Sequence, residues 1–335
     1  MPAEFRSAAR VAAACLASAS LTLAAGLAQA QTKWDLASGY PLSNPHTVTL
    51  QQFAKDVDIA SAGKFKITVH PSGALYKAPE IMRAVESGQA QAGEVLMSLL
   101  VNQNPVFGLD SLPFLATGFD DAQRLWAAQR PVLERILAKR GLKLLYAVAW
   151  PPQGIYAKKE IKSAADMKGL KWRAYNPATT KIAQSVGAQP LTIQAAELSQ
   201  ALATGVVDST MTSGATGVDS KIWESLTHYH TVNAWLPKNM VVVNLKDFEK
   251  LDKAQQKALI DAAAEAERKG WERMRAFNQE SLEILKKNRM AVVAPTPQLM
   301  SDMKKIGDEM LADWVKAAGA DGQEILKAYA ASAKK

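Results

Sequence analysis

Residues 34–149 alternate between short apolar or period-two runs and amphipathic helical stretches, which restricts the chain to an α/β architecture. Trp34 to Gly39 reads as a strand, and Ser43 or Asn44 stands where a cap belongs ahead of Leu50, Phe53 and Val57 on one helical face. Gly63 ends that helix. Lys64 to His70 alternate strictly between polar and apolar, as a half-buried strand does. After the turn Pro71-Ser72-Gly73, Pro79 opens a short helix carrying Ile81, Met82 and Val85, and a strand of small residues is expected around Ala92 to Met97. A helix from Asp120 to Arg140 leads through Gly141 into a strand from Leu142 to Ala149. Such alternation predicts a largely parallel sheet covered by helices.

The second half repeats the style without repeating the sequence. Leu170 to Tyr175 reads as a strand, Asn176-Pro177 starts a helix through Val186, and Glu197 to Ala203 lies in another. Val206-Val207 is expected as a short buried strand and Met240 to Asn244 as a further one. Asp252 and Gln255 have the spacing of a capping box. They open a helical pattern to about Lys287 with Leu259, Ala263, Trp271, Met274, Leu282 and Leu285 as candidate buried positions. That is much longer than an average globular helix and suits one that spans two lobes, with Gly270 as its expected bend.

The first thirty residues predict the compartment. Arg6 and Arg10 form a basic region, Val11 to Leu27 carries no charge, and Ala28-Gln29-Ala30 is a small-x-small cleavage site. This is the pattern of a secretory signal peptide cleaved after about Ala30, with a retained anchor as the alternative. Cys15, the single cysteine of the chain, falls inside that segment, and Ala12-Ala13-Ala14 makes a poor lipidation signal before it. The remainder therefore has to fold on a hydrophobic core, without disulfides or thiol chemistry. Residues 1–30 carry Arg6, Arg10 and Glu4, so the formal charge of +8 for the whole chain becomes +7 for the rest. A positive balance draws anions. The lysines are spread rather than clustered, which argues against nucleic acid as a partner.

Catalytic signatures are missing. There is no G-x-S-x-G elbow, no phosphate-binding glycine loop and no H-E-x-x-H. His228 and His230 have no third ligand near them in sequence and read as a surface pair. Glu265 and Glu267 lie in an Ala/Lys/Glu-rich helix where solvated ion pairs are the default. The chain is expected to be no enzyme.

The informative stretch is Gly169-Leu170-Lys171-Trp172-Arg173-Ala174-Tyr175-Asn176-Pro177-Ala178. Period two puts Leu170, Trp172 and Ala174 on one strand face and Lys171, Arg173 and Tyr175 on the other. Arg173 thus sits near the carboxyl end of a strand, where open α/β sheets bind ligands. Asn176 suits an N-cap and Pro177 the first helical position. A guanidinium beside a helix N-terminus is a site for a carboxylate. A structural salt bridge for Arg173, and a plain cap for Asn176, are the alternatives.

Ala165-Asp166-Met167-Lys168-Gly169-Leu170-Lys171-Trp172-Arg173 resembles a motif of the DctP-type solute receptors of tripartite ATP-independent periplasmic (TRAP) transporters. Ser61 to Ile67, Asp110-Ser111-Leu112-Pro113-Phe114, Gly187-Ala188-Gln189-Pro190, Glu197 and Gly205-Val206-Val207-Asp208 resemble further segments of that family, in order along the chain. The resemblance implies a two-lobed α/β fold like that of periplasmic binding proteins, with a long lobe-spanning helix. It places lobe I at residues 31–150 plus about 239–278, and lobe II at 151–238 plus about 279–335. It implies a periplasmic receptor, expected as a monomer, that delivers a small organic acid to TRAP membrane permease subunits. The alternatives are sensing or scavenging outside transport, or a periplasmic hydrolase or lyase using scattered acidic residues.

By the same resemblance Arg173 clamps the ligand carboxylate and Asn176 is a second contact. Two departures matter: Gln153 stands where many dicarboxylate and sialic-acid receptors carry a second arginine, and Thr212 stands where they carry an amide. One anionic clamp is gone, so the expected ligand is a monocarboxylate: a 2-oxo, 2-hydroxy or aromatic acid. Trp150, Met211, Trp235 and Met97 are expected either to line an apolar cavity or to lie in the core, and Glu94 either to accept a ligand hydroxyl or to face solvent. No cofactor is expected. Whether a cation sits at the ligand site is open, because no metal ligands can be matched.

Overall fold

The computed structural model describes residues 31–332, so the expected signal peptide, with Cys15 and the site after Ala30, lies outside the described residues. Eleven strands are present among them: β1 (Thr32–Ala37), β2 (Phe65–His70), β3 (Ala92–Leu96), β4 (Leu142–Ala149), β5 (Gln153–Ala157), β6 (Lys171–Ala174), β7 (Gln189–Thr192), β8 (Ser209–Ser213), β9 (His228–His230), β10 (Lys238–Asn244) and β11 (Ala291–Val293). The helices are α1 (Pro45–Ala60), α2 (Ile81–Glu86), α3 (Phe119–Ala138), α4 (Pro177–Ser185), α5 (Leu198–Ala203), α6 (Gly214–Asp219), α7 (Leu245–Lys250), α8 (Lys253–Lys287) and α9 (Pro297–Ser332).

The strands form two sheets, each the floor of one lobe. The first has the order β2-β1-β3-β10-β4 and the second β11-β9-β5-β8-β6-β7. Parallel pairing holds where a helix carries the chain back, as between β1 and β2 and between β6 and β7. The sheets are nevertheless mixed rather than largely parallel: β10 runs antiparallel to β3 and β4, and β5 antiparallel to β8 and β9. The reason is topological. β10 enters the first sheet from the second lobe and β5 enters the second from the first, so neither closes a βαβ unit within its sheet.

The two crossings run side by side and bond to each other. Trp150 N donates to Pro237 O at 2.8 Å and Gln153 N to Trp235 O at 3.0 Å. These paired segments are what a hinge between the lobes would bend.

Local signals account for the helix ends. Asn44 caps α1 by accepting from His46 N at 2.8 Å, with Pro45 in the first turn. Asp252 and Gln255 form the reciprocal box at the start of α8, with Gln255 N donating to Asp252 Oδ1 at 2.7 Å. α8 runs as one continuous helix through Gly270. The glycine serves close approach: a Cβ would lie 2.5 Å from Val148 Cγ2, and the next residue, Trp271, donates from Nε1 to Ala147 O at 2.9 Å. The helix thereby seats directly on β4.

Two elements differ from expectation. Val206-Val207 forms no strand: both backbone N–H groups bond back to Ala201 O as a turn after α5, Val206 is exposed, and the strand starts at Ser209. The closing helix α9, kinked at Gly319 (φ 55°, ψ −134°), is not among the helices expected from the sequence. It touches both lobes: Asp302 accepts from Ala164 N at 2.8 Å, while Tyr329 donates to Leu115 O at 3.1 Å. No helix of the described residues is long and apolar enough to cross a membrane.

Candidate ligand-binding site

β6 delivers Arg173 to the space between the lobes. Strand alternation buries Trp172 and Ala174 in the core and turns Arg173 and Tyr175 to a cavity between the lobes. Its second-lobe wall also carries Gln194, Ala195, Thr212 and Thr216. The opposite wall is Gly39, Tyr40, Ala78 and Leu96, and the crossings contribute Trp150, Gln153 and Pro237.

Arg173 is the only formally charged residue on that lining. It is 3 % exposed, and its Nε donates to Ile193 O at 2.8 Å. Its guanidinium lies 4.9 Å from the centre of the Tyr175 ring. No carboxylate comes within salt-bridge distance of it among the described residues, so the structural salt bridge expected as an alternative is not made. Burial pulls its pKa down to about 10, opposed by Tyr175 and Tyr40, and the group stays cationic at neutral pH. A buried, pre-oriented and uncompensated guanidinium is what an anion can neutralise.

Gln153 is held by its own neighbours. Its Nε2 donates to Pro151 O at 2.8 Å and its Oε1 accepts from Tyr175 OH at 3.1 Å. The amide therefore fixes Tyr175, which in turn lies against Arg173. Trp150 donates from Nε1 to Asn239 Oδ1 at 2.9 Å, with ring centroids 5.0 Å from Tyr40 and 4.4 Å from His46. The cavity thus has a polar end at Arg173 and an aromatic flank at Trp150 and Tyr40.

Of the expected site residues, Arg173, Gln153, Thr212 and Trp150 meet at this cavity, and the other five stand behind its walls. Met211 faces the core because it alternates with Thr212 on β8. Met97 and Trp235 are also core side chains. Asn176 caps α4, accepting from Thr179 N at 2.8 Å, and spends its Nδ2 on Ser98 Oγ of the other lobe, again at 2.8 Å. Glu94 is 3 % exposed and so does not face solvent; it accepts from Ser38 Oγ at 2.6 Å, and His46 Nδ1 lies 3.6 Å away. Burial raises the Glu94 carboxyl to about 7, and burial lowers His46 to about 3.

Tyr40, Tyr175, Gln194 and Thr216 line the cavity without having been singled out. Tyr175 was within reach, since it shares the strand face of Arg173. The others come from segments whose local pattern says nothing about a cleft. His230 is no surface residue: its Nε2 accepts from Ile161 N at 2.8 Å inside the second lobe. Among the described residues no group of three or more His, Cys, Asp or Glu is placed to hold a metal ion.

A family model described as bacterial extracellular solute-binding protein, family 7, matches residues 36–317. The chain is 56 % identical to the extracytoplasmic solute receptor DctP6 of Bordetella pertussis, which binds pyroglutamic acid; the match covers 89 % of this chain and 99 % of that one, with a TM-score of 0.88. It is 44 % identical to a marine-metagenome TRAP solute-binding protein specific for pyroglutamate, covering 89 % of this chain and 98 % of that one, again with a TM-score of 0.88. A monocarboxylate 2-oxoacid-binding periplasmic protein of Nostoc is 24 % identical over 84 % of this chain and 79 % of its own length.

Proposed function

The chain belongs to the bacterial extracellular solute-binding proteins of family 7, the DctP-type TRAP receptors for small organic acids, and from that membership we propose that its own ligand is a compact monocarboxylate of the pyroglutamate type. The observation that carries this reading is Arg173, a buried guanidinium with no counter-charge within salt-bridge distance among the described residues, alone among neutral residues on the cavity lining. One fixed cation matches one carboxylate. A second carboxylate, or an ammonium group, would be desolvated without a charged partner on that lining. The relatives that hold pyroglutamate, at 56 % and 44 % identity, make it the first acid to test, with 2-oxo, 2-hydroxy and aromatic monocarboxylates beside it.

In this reading the carboxylate docks on the Nη groups of Arg173. The ring lies against Trp150 and Tyr40, and Thr212, Thr216 and Gln194 meet its polar edge. Arg173 is already oriented by Ile193 O and Tyr175, so little ordering remains to be done on binding. The lobes close by bending at the paired crossings, closure removes water from the charge-assisted bonds, and the loaded receptor meets a TRAP permease. Residues 1–30 act as the export signal, and lobe I comprises 31–150 plus about 239–278, with the rest in lobe II. The relatives are receptors rather than enzymes, which supports binding without turnover.

Calorimetric titration of ligand-stripped protein tests the proposal, using pyroglutamate, pyruvate, lactate, a benzoate and succinate, each with and without calcium and sodium. Binding of pyroglutamate or another monocarboxylate, lost in Arg173→Met, is the expected result. Preference for succinate, or unchanged binding in Arg173→Met, refutes it.

A further inference from the structure

Side-chain hydrogen bonds cross between the lobes at two places beside the cavity. One is at Asn176, whose Nδ2 donates to Ser98 Oγ at 2.8 Å and to Ser111 Oγ at 3.5 Å. The other joins Asn44, at the cap of α1 in the first lobe, to Asp219, at the end of α6 in the second, with Asn44 Nδ2 donating to Asp219 Oδ2. The flanking residues of this second pair belong to the cavity itself: Tyr40 lies four positions before Asn44, and Thr216 one helical turn before Asp219.

The orientation of the Asn44 amide is dictated by its capping role. Its Oδ1 accepts from His46 N at 2.8 Å, so the group pointing away from the helix is the donor Nδ2. Asn44 is fully buried, and Asp219 is half-buried. Among the described residues Asp219 has no other side-chain partner and no cation within salt-bridge distance. A carboxylate in such a place has one group to compensate its desolvation, and that group stands on the opposite lobe. When the lobes part, both groups return to water. When they close, the bond forms beside the residues that line the cavity.

We propose that Asn44 and Asp219 are a positioning pair that holds the lobes closed over the bound acid. Neither residue is on the cavity lining. The pair acts on the closed state, so it sets how long the ligand stays more than how fast it arrives. The proposal rests on the receptor reading above only for the identity of the ligand.

The test exchanges donor and acceptor. Asn44→Asp keeps an equally good cap but sets two carboxylates face to face. Asp219→Asn keeps the shape and a neutral hydrogen bond. The double variant Asn44→Asp/Asp219→Asn rebuilds a charge-assisted bond with the roles reversed. Asp219→Ala removes the acceptor without disturbing α1 and stands in should Asn44→Asp fold poorly.

Energy transfer between dyes at Lys55→Cys and Ala203→Cys, in a Cys15→Ser background, reports lobe separation at pH 8 with and without pyroglutamate. Stopped-flow dissociation of pyroglutamate is followed in parallel. Asn44→Asp and Asp219→Ala are expected to shift the population towards the open form and to speed dissociation about tenfold or more, with the double variant returning close to wild type. Identical transfer distributions in all the proteins overturn the proposal whether or not pyroglutamate binds, and so does a double variant no better than Asn44→Asp. A wild type that ignores pyroglutamate but keeps the reciprocal pattern of lobe separation overturns the ligand assignment and upholds the pair.

Discussion

Replacing Glu94 by Gln measures what a buried carboxyl without a Lys or Arg partner costs this fold. Ser38 donates to Glu94 at 2.6 Å, and burial raises its pKa from 4.5 to about 7. The folded state therefore holds the proton more tightly than the unfolded chain does. The stability this group contributes is complete below the unfolded value and is lost as the pH rises through about 7. At about 1.4 kcal/mol per pH unit the whole span corresponds to roughly 3 kcal/mol, of which about 2.5 kcal/mol falls between pH 5 and pH 8. Gln keeps an oxygen for Ser38 and cannot ionise. Urea unfolding of ligand-free wild type and Glu94→Gln, compared at each pH, cancels the groups that both proteins share, His46 and His230 included. The expected outcome is a variant that gains about 2.5 kcal/mol on wild type between pH 5 and pH 8. A difference that stays flat within about 0.5 kcal/mol over that range would mean that Glu94 is solvated in the folded protein and that its desolvation is not real.

Arg173→Met should weaken binding of the preferred acid by about a hundredfold or more in calorimetric titration, because the carboxylate would be buried unpaired. The ligand-free variant should melt no lower than wild type, since it no longer buries an uncompensated cation; a large fall in its melting temperature would point to a structural role instead. Tyr175→Phe removes the hydroxyl that Gln153 accepts from while leaving the ring against Arg173. Denaturant unfolding should show a loss of about 1 kcal/mol, and affinity should stay within about fivefold of wild type. Gly270→Ala places a methyl 2.5 Å from Val148 Cγ2, and thermal unfolding should report about 1–3 kcal/mol of destabilisation, or more should α8 have to lift off β4.

Legibility from the sequence follows the range of each signal. Asn44, Asp252 and Gln255 announce their helix ends because a cap is an interaction across two or three residues. The strand from Phe65 to His70, and the division of Trp172 and Ala174 from Arg173 and Tyr175, follow from the alternation of side chains along a strand. β7, β9 and β11, of three or four residues each, are too short for a period to show, and they are strands because a neighbouring strand satisfies their backbone. Val206 looked like strand on composition alone, but the turn after α5 uses its N–H.

By itself the sequence determined the α/β alternation, the helix ends, and the arrival of a guanidinium at the carboxyl end of a strand, since all of these are encoded within about one or two helical turns of chain. Only the tertiary structure decided what surrounds that guanidinium. Tyr40 and Thr216 lie far apart in the chain and share one cavity because two crossings and a long helix bring the lobes together. Gln153 supports Tyr175 through an amide that Pro151 and Tyr175 already occupy, and Asn176 spends its amide hydrogens on Ser98 and Ser111. Glu94 holds its proton near neutrality because burial outweighs the help it has from Ser38 and Asn239. Hydrogen-bond satisfaction and desolvation depend on everything within a few ångströms of an atom, and most of those neighbours are remote in sequence.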